Sequence, residues 1–259
     1  MTAPPPPPLV VTGASGRVAR LLRGVWGPAG ADWRARADGR DPLAGLPRGG
    51  TLLCLAGVAP GRGGDLDDNA AIARAHVAAA EAAGMARVLL ASSAAVYPAG
   101  GALREADAAP ASAYGRAKLA MEAVRSDRVE VCALRIGNVA GADALLGALG
   151  AAPPRLHVWA DGAGPRRSYV GPETLARVLR ALAAHPAALP PVLNVAAPGG
   201  VTMDALLDAA DRPWEGVPAP DDALREVVLD VSALAALVEL DAAEGTAGEV
   251  VRQWRAVAA

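Results

Sequence analysis

The chain has 259 residues, enough to bury one substantial core with at most a small second lobe. A formal charge of −2 and 53% apolar composition fit a soluble globular protein and give no reason to expect nucleic acid or an acidic membrane as partner. No apolar stretch is long and unbroken enough to span a bilayer, and nothing approaches the Cys/His spacing of a metal site.

The N-terminal "MTAPPPPPLVV" lacks the charged and apolar regions of a signal peptide and is expected to form a short polyproline arm leading into the first strand. "PLVVTGASG" reads as a short buried strand running into a glycine turn, and "RVARLLRGVW" follows with helical spacing. "DWRARAD" is a second, weaker strand and "GTLLCLAG" a firm one. An Ala-rich helix is predicted from about Asp67 to Ala83, closed by Gly84. "ARVLLASSAAVY" is a buried strand ending in a serine pair, "AYGRAKLAMEAVRS" a helix, and "VEVCALRIGNV" another strand. From Ala142 to Arg167 glycine and proline loosen the pattern. A helix from about Glu173 to Ala184 then precedes a last strand, "PVLNVAA", and the tail carries helical patterns in "TMDALLDAA" and "DVSALAALVEL". This alternation of apolar strands and helices predicts an α/β fold, a doubly wound parallel sheet. Cys54 and Cys132 sit inside apolar strands, the pattern of buried free thiols in a reducing cytoplasm.

"VTGASGRVA" places Gly13 and Gly16 between a strand and a helix. Glycines there let the backbone approach a pyrophosphate, which sits on the unpaired N–H groups of the helix N-terminus. Ala19 fills the third position, where a small residue suffices for helix–strand packing. Asp38 is placed to accept ribose hydroxyls and favour NAD, whereas Arg36 and Arg40 on either side of it are placed to grip the 2′-phosphate of NADP. NAD or NADP is the expected cofactor, with NAD placed first.

Arginine carries positive charge throughout the chain, and Lys118 is the only lysine. It lies four residues after Tyr114, on the same helix face and within reach of it. A free phenol has a pKa near 10, and a neighbouring ammonium favours its ionised form. The same ammonium is a compact donor to ribose hydroxyls, a slot that a planar guanidinium fills poorly. The scarce Tyr97, Tyr169, Asn69, Asn138 and Asn194 also lie close to strand ends or candidate site segments.

With the glycine turn, "SSAAVY" and "YGRAK" in order, the chain resembles the extended short-chain dehydrogenase/reductase superfamily, and within it the NAD-dependent epimerase/dehydratase family. The resemblance implies a Rossmann-like core from 1–141 and 169–197, a small substrate lobe from 142–168 and 198–259, and one integrated body. It implies Ser93, Tyr114 and Lys118 as the catalytic residues. The cofactor set it implies is Gly13, Ser15, Gly16, Arg17, Val18, Asp38, Arg40, Leu55 and Ala56, with Tyr114 and Lys118. Ser93, Asn138 and Arg167 are the implied contacts to a small-molecule substrate, a sugar or nucleotide-sugar. Relatives often pair through the catalytic helix and its neighbour, which implies a homodimer. The expected reaction is oxidation or reduction of a sugar hydroxyl or carbonyl; nucleotide-sugar epimerisation with retained NAD and a non-catalytic NAD(P) sensor are the alternatives. Ala94 and Ala95 stand where sugar 4,6-dehydratases carry Asp-Glu, so dehydration is not expected. Only a dozen residues separate Asp38 from Thr51, so the usual third strand and its helix are expected to be missing.

Overall fold

The computed structural model describes residues 7–61 and 63–258. Most of the expected proline arm therefore lies outside the described residues. In chain order β1 (Leu9–Thr12) runs into α1 (Arg17–Trp26), β2 (Asp32–Arg34) follows, and β3 (Thr51–Cys54) leads to α2 (Asp68–Ala83). Next come β4 (Arg87–Ser93), β5 (Gly100–Leu103), α3 (Ala113–Glu122), β6 (Glu130–Ile136) and β7 (Asn138–Val139). β8 (Arg155–Val158), β9 (Arg166–Arg167), β10 (Tyr169–Val170), α4 (Pro172–Ala183) and β11 (Val192–Val195) precede the C-terminal part. That part holds β12 (Val201–Thr202), α5 (Met203–Ala209), β13 (Glu215–Pro218), β14 (Glu226–Leu229), α6 (Ser232–Ala235) and α7 (Ala247–Ala258).

Six parallel strands form the central sheet in the order β2-β1-β3-β4-β6-β11. The strands are apolar on both faces because helices cover both. Val10, Leu52, Val88, Leu90 and Val131 pack with Ala73, Val77 and Ala80 of α2 and Met121 of α3. Their neighbours Val11, Leu53, Leu89, Cys132 and Leu134 face the other way, onto Leu22 of α1 and Leu175, Val178, Leu179 and Leu182 of α4. The order reverses between β1 and β3, so the loops at the carboxyl ends of these strands open a crevice there.

The third strand is missing, as the spacing implies. After β2 the chain makes one 3-10 turn, Arg36–Asp38, and reaches β3 through a coil rich in glycines at positive φ. That stretch is too short for a strand plus a crossover helix. Asp38 accordingly lies in this turn and not at a strand end. α2 closes on Gly84 in the left-handed region, φ 69°, as expected.

Three features depart from the sequence reading. The loosened segment after Ala142 holds β8 and β9, whose partners β13, β12 and β14 lie far along the chain. "DVSALAALVEL" forms only the single turn α6. The last helix, α7, was not anticipated; it packs on α5 and also on α1 and α4 of the core.

Candidate active site

The glycine turn is built by close approach. Gly13 has φ +75°, and a β-carbon there would lie 2.5 Å from the Ala56 amide nitrogen and 2.7 Å from the Leu55 carbonyl carbon. Only glycine lets the end of β1 run this near the segment after β3. Gly16 begins α1 with no side-chain cap and no acidic residue in the first turn, so the leading N–H groups, with Ser15, Arg17 and Val18 beside them, are free to receive an anion. Beneath the turn, the Thr12 hydroxyl meets His76 Nε2 at 2.9 Å. Arg17 donates to the Asp143 carbonyl at 2.9 Å, tying the turn to the segment after β7.

Beyond β2 a cavity of about 650 Å³ is lined by Trp33, Arg34, Ala35, Asp38, Arg40 and the coil that follows. Arg34 pins that coil, donating to Asp32 at 2.7 Å and to the Ala44 carbonyl at 2.7 Å. Asp38 accepts from the Ala35 amide at 3.1 Å and is otherwise exposed, as is Arg40. The turn and this cavity together have the chemistry a dinucleotide requires: a backbone cradle that a methyl would fill, unpaired N–H groups, and both carboxylates and guanidinium groups along the cavity.

Ser112 caps α3, accepting from the Gly115 amide at 3.0 Å, and so puts Tyr114 in the first turn. Lys118 is 5% exposed, and its Nζ lies 5.9 Å from the centre of the Tyr114 ring. That ammonium donates to the Ala91 carbonyl of β4 at 2.9 Å. Asn69 of α2 closes the other side: its amide holds both the N–H and the carbonyl of Val58, at 3.2 and 3.0 Å. Ser93 ends β4 and caps the next turn, accepting from the Ala95 amide at 3.2 Å.

The electrostatics correct one expectation. Burial holds the Tyr114 phenol above its ordinary value, and the hydroxyl of Ser93 is what opposes it. Lys118 is itself held below the usual amine range by burial, against which the Cys54 thiol and Glu122 act. The Ser93 hydroxyl, and not the Lys118 ammonium, is therefore what acts against burial at the Tyr114 phenol.

Asn138 and Arg167 are drawn into the protein's own bonding. Asn138 donates its backbone N–H to the Ser168 carbonyl at 2.9 Å and pairs through β7 with Tyr169 of β10, whose hydroxyl donates to Asp143 at 2.8 Å. The Arg167 guanidinium donates to the carbonyls of Arg166, Arg225 and Leu224 at 2.8, 3.0 and 2.6 Å. The sequence reading missed Glu122, one further turn along the face of Tyr114 and Lys118, and its buried partner Arg135. Extending the same four-residue step would have found the first; the second sits inside an apolar strand and gave no signal.

The fold is shared with short-chain dehydrogenase/reductases. A superfamily member from Agrobacterium tumefaciens with bound NAD superposes with TM-score 0.74 at 19% identity, over 96% of each chain. UDP-N-acetylglucosamine 4-epimerase from Methanobrevibacter ruminantium, in complex with UDP-N-acetylmuramic acid, gives 0.73 at 17% identity over 96% of this chain and 98% of its own. UDP-glucuronic acid 4-epimerase from Bacillus cereus with NAD gives 0.70 at 14% over 96% of each. Among curated proteins none matches in sequence. Residues 61–196 match the model of the NAD dependent epimerase/dehydratase family, and the chain belongs to that family.

Proposed function

We propose that the chain is an NAD(P)-dependent oxidoreductase acting on a hydroxyl or carbonyl of a sugar or sugar derivative through Ser93, Tyr114 and Lys118. The observation that carries this reading is the seating of those residues at the carboxyl end of β4, across the crevice from the glycine turn. In this role the Ser93 hydroxyl holds the reacting oxygen by a hydrogen bond. Tyr114 gives a proton to that oxygen in reduction and takes it in oxidation. Lys118 faces the ribose and steadies the phenolate. A bound nicotinamide dinucleotide supplies the hydride exchange.

Gly13, Ser15, Gly16, Arg17 and Val18 would hold the pyrophosphate, Asp38 and Arg40 the adenosine ribose, and Leu55 and Ala56 the inner wall. The solved neighbours bind NAD, which keeps NAD ahead of NADP. Asn138 and Arg167 would meet the substrate, Arg167 only after giving up some of its present bonds. The segments 142–168 and 198–259 are read as the substrate lobe, with α7 bracing it on the core.

Nucleotide-sugar epimerisation is the second reading, favoured by neighbours that are UDP-sugar epimerases matched over nearly their whole length. The deciding experiment releases and identifies any cofactor carried through purification, then offers sugars, uronates and UDP-sugars with added NAD or NADP. Substrate-dependent change in nicotinamide absorbance, lost in Tyr114→Phe, supports the oxidoreductase. Retained NAD with interconversion of UDP-sugars supports the epimerase. Dinucleotide binding with no turnover across the panel refutes both in favour of a sensor.

A further inference from the structure

Helix α3 carries a third polar residue in the row of Tyr114 and Lys118. Glu122 follows at the next four-residue step and, like Lys118, is tied to the end of β4. Lys118 donates to the carbonyl of Ala91, Glu122 accepts from the hydroxyl of Ser92, and Tyr114 faces Ser93. Two successive turns of the helix, at Lys118 and Glu122, are thereby hydrogen-bonded to the end of β4.

Glu122 is in turn locked from β6. Arg135 Nε donates to both carboxylate oxygens, at 3.0 and 3.1 Å, and Nη2 donates to Oε2 at 2.7 Å. The remaining nitrogen of Arg135 donates to the Tyr97 hydroxyl at 2.8 Å and to the Glu105 carbonyl at 2.6 Å. The Tyr97 hydroxyl donates to Asn194 Oδ1 at 2.6 Å, and Asn194 donates to the carbonyls of Leu103 and Asp230, each at 2.9 Å. Glu122 and Arg135 are each 3% exposed. A buried ion pair adds little net stability over well-packed apolar residues, but pulling its partners apart leaves a buried charge uncompensated and is costly. Here the pair joins the helix that presents the proposed acid/base to β6.

We propose that Glu122 is a positioning residue: clamped by Arg135 and Ser92, it seats Tyr114 and Lys118 against Ser93 and gives the Lys118 ammonium a carboxylate one turn away. The proposal rests on the functional reading above. Lys118 is faced by Tyr114 and Glu122 from its own helix and by Cys54 from β3, with Arg135 of β6 behind Glu122 and neutral Asn69 of α2 alongside. Burial pushes the Cys54 thiol up to about 11, so it stays protonated. Glu122 is the carboxylate among the groups acting on Lys118.

The test uses Glu122→Gln/Arg135→Met, which removes both charges together, and Ser92→Ala, which removes one hydrogen bond and unpairs no charge. Phenolate absorbance is followed against pH in each protein and in the same background carrying Tyr114→Phe; the difference isolates Tyr114. kcat and KM are measured over the same pH range. The double variant should move the Tyr114 midpoint up by about one pH unit, tenfold in proton affinity, and lower kcat about tenfold with little change in KM. Ser92→Ala should move both the same way by a smaller factor, and it decides alone if the double variant does not fold. A folded variant of either kind with the parental midpoint and parental kcat overturns the proposal. If the parent protein turns over nothing, the functional reading fails separately. The phenol titration then still decides the seat of the helix, a moved midpoint supporting it and an unmoved one refuting it.

Discussion

Gly115 is the residue on which the seat of α3 can be tested most directly. It follows Tyr114, and a β-carbon there would press on the Ala95 carbonyl oxygen, lying 3.0 Å from its carbon and 2.9 Å from Pro110 Cβ. Ordinary contact between carbons is about 3.5–4.0 Å, so Gly115→Ala must push the helix back by about 0.5–1 Å. Alanine gains about 1 kcal/mol of helix propensity over glycine, while overpacking costs about 1–3 kcal/mol. Gly248, near the start of α7, has nothing within 4 Å of a new methyl group. Gly248→Ala therefore carries the propensity gain without the clash, and in the difference between the two variants that gain cancels. Gly115→Ala should be less stable than Gly248→Ala by about 1–3 kcal/mol, several degrees in Tm for a chain of this size. A shift of this order at Tyr114 should also lower kcat about 100-fold. Thermal unfolding and turnover measured on parent and both variants give the comparison. Equal stability of the two variants, with Gly115→Ala at parental kcat, would refute the close seating of α3 on the turn after Ser93.

Lys118→Arg should cost both activity and dinucleotide affinity, each about tenfold or more, because a larger planar cation is forced into a site that is 5% exposed; titration calorimetry and kinetics check it, and an active variant would make the lone lysine incidental. Burial pushes the Cys54 thiol up to about 11 and the Cys132 thiol up to about 12 from an ordinary 9.0. Both should ignore a thiol reagent at pH 8 until denaturant is added, and the stability they lend, intact below pH 9, should be lost as pH rises through those values. His76 is held below its ordinary 6.5 by burial. Its Nδ1 faces the Ile72 carbonyl at 2.7 Å and so carries the proton, leaving Nε2 to accept from Thr12. Below pH 6.5 the unfolded chain binds a proton that the native state refuses, so stability should fall with acidification by at most about 1.4 kcal/mol per pH unit. Urea unfolding at pH 7.5 and 5.5 measures this loss, and an equal loss in His76→Gln would exclude His76 as its source.

Much of the core was legible because its signals are local. Apolar runs flanked by glycine, and helical spacing such as that of "RVARLLRGVW", depend on neighbours within one turn or one strand. Tyr114 and Lys118 were legible for the same reason, a four-residue step along one helix. Glu122 lay within the same rule, but its partner Arg135 is contributed by a strand after the helix, and no local spacing announces that pair. β8, β9 and β13 were hidden because each is short and is stabilised by a partner tens of residues away. "DVSALAALVEL" misled in the opposite sense: Leu234 and Val238 are buried in the core, yet the segment forms only one helical turn at α6.

The amino-acid sequence by itself determined the alternation of strands and helices, the glycine cradle, the absence of room for a third strand, and the Tyr114–Lys118 step, because each is a matter of periodicity or chain length. Only the tertiary structure decided what those groups face. It turned the Lys118 ammonium toward Ala91, engaged Arg167 with three carbonyls, and set Glu122 against Arg135 beneath the site. The reason is physical: which donor meets which acceptor depends on how separate elements pack, and burial, not sequence distance, sets the cost of leaving any of them unpaired.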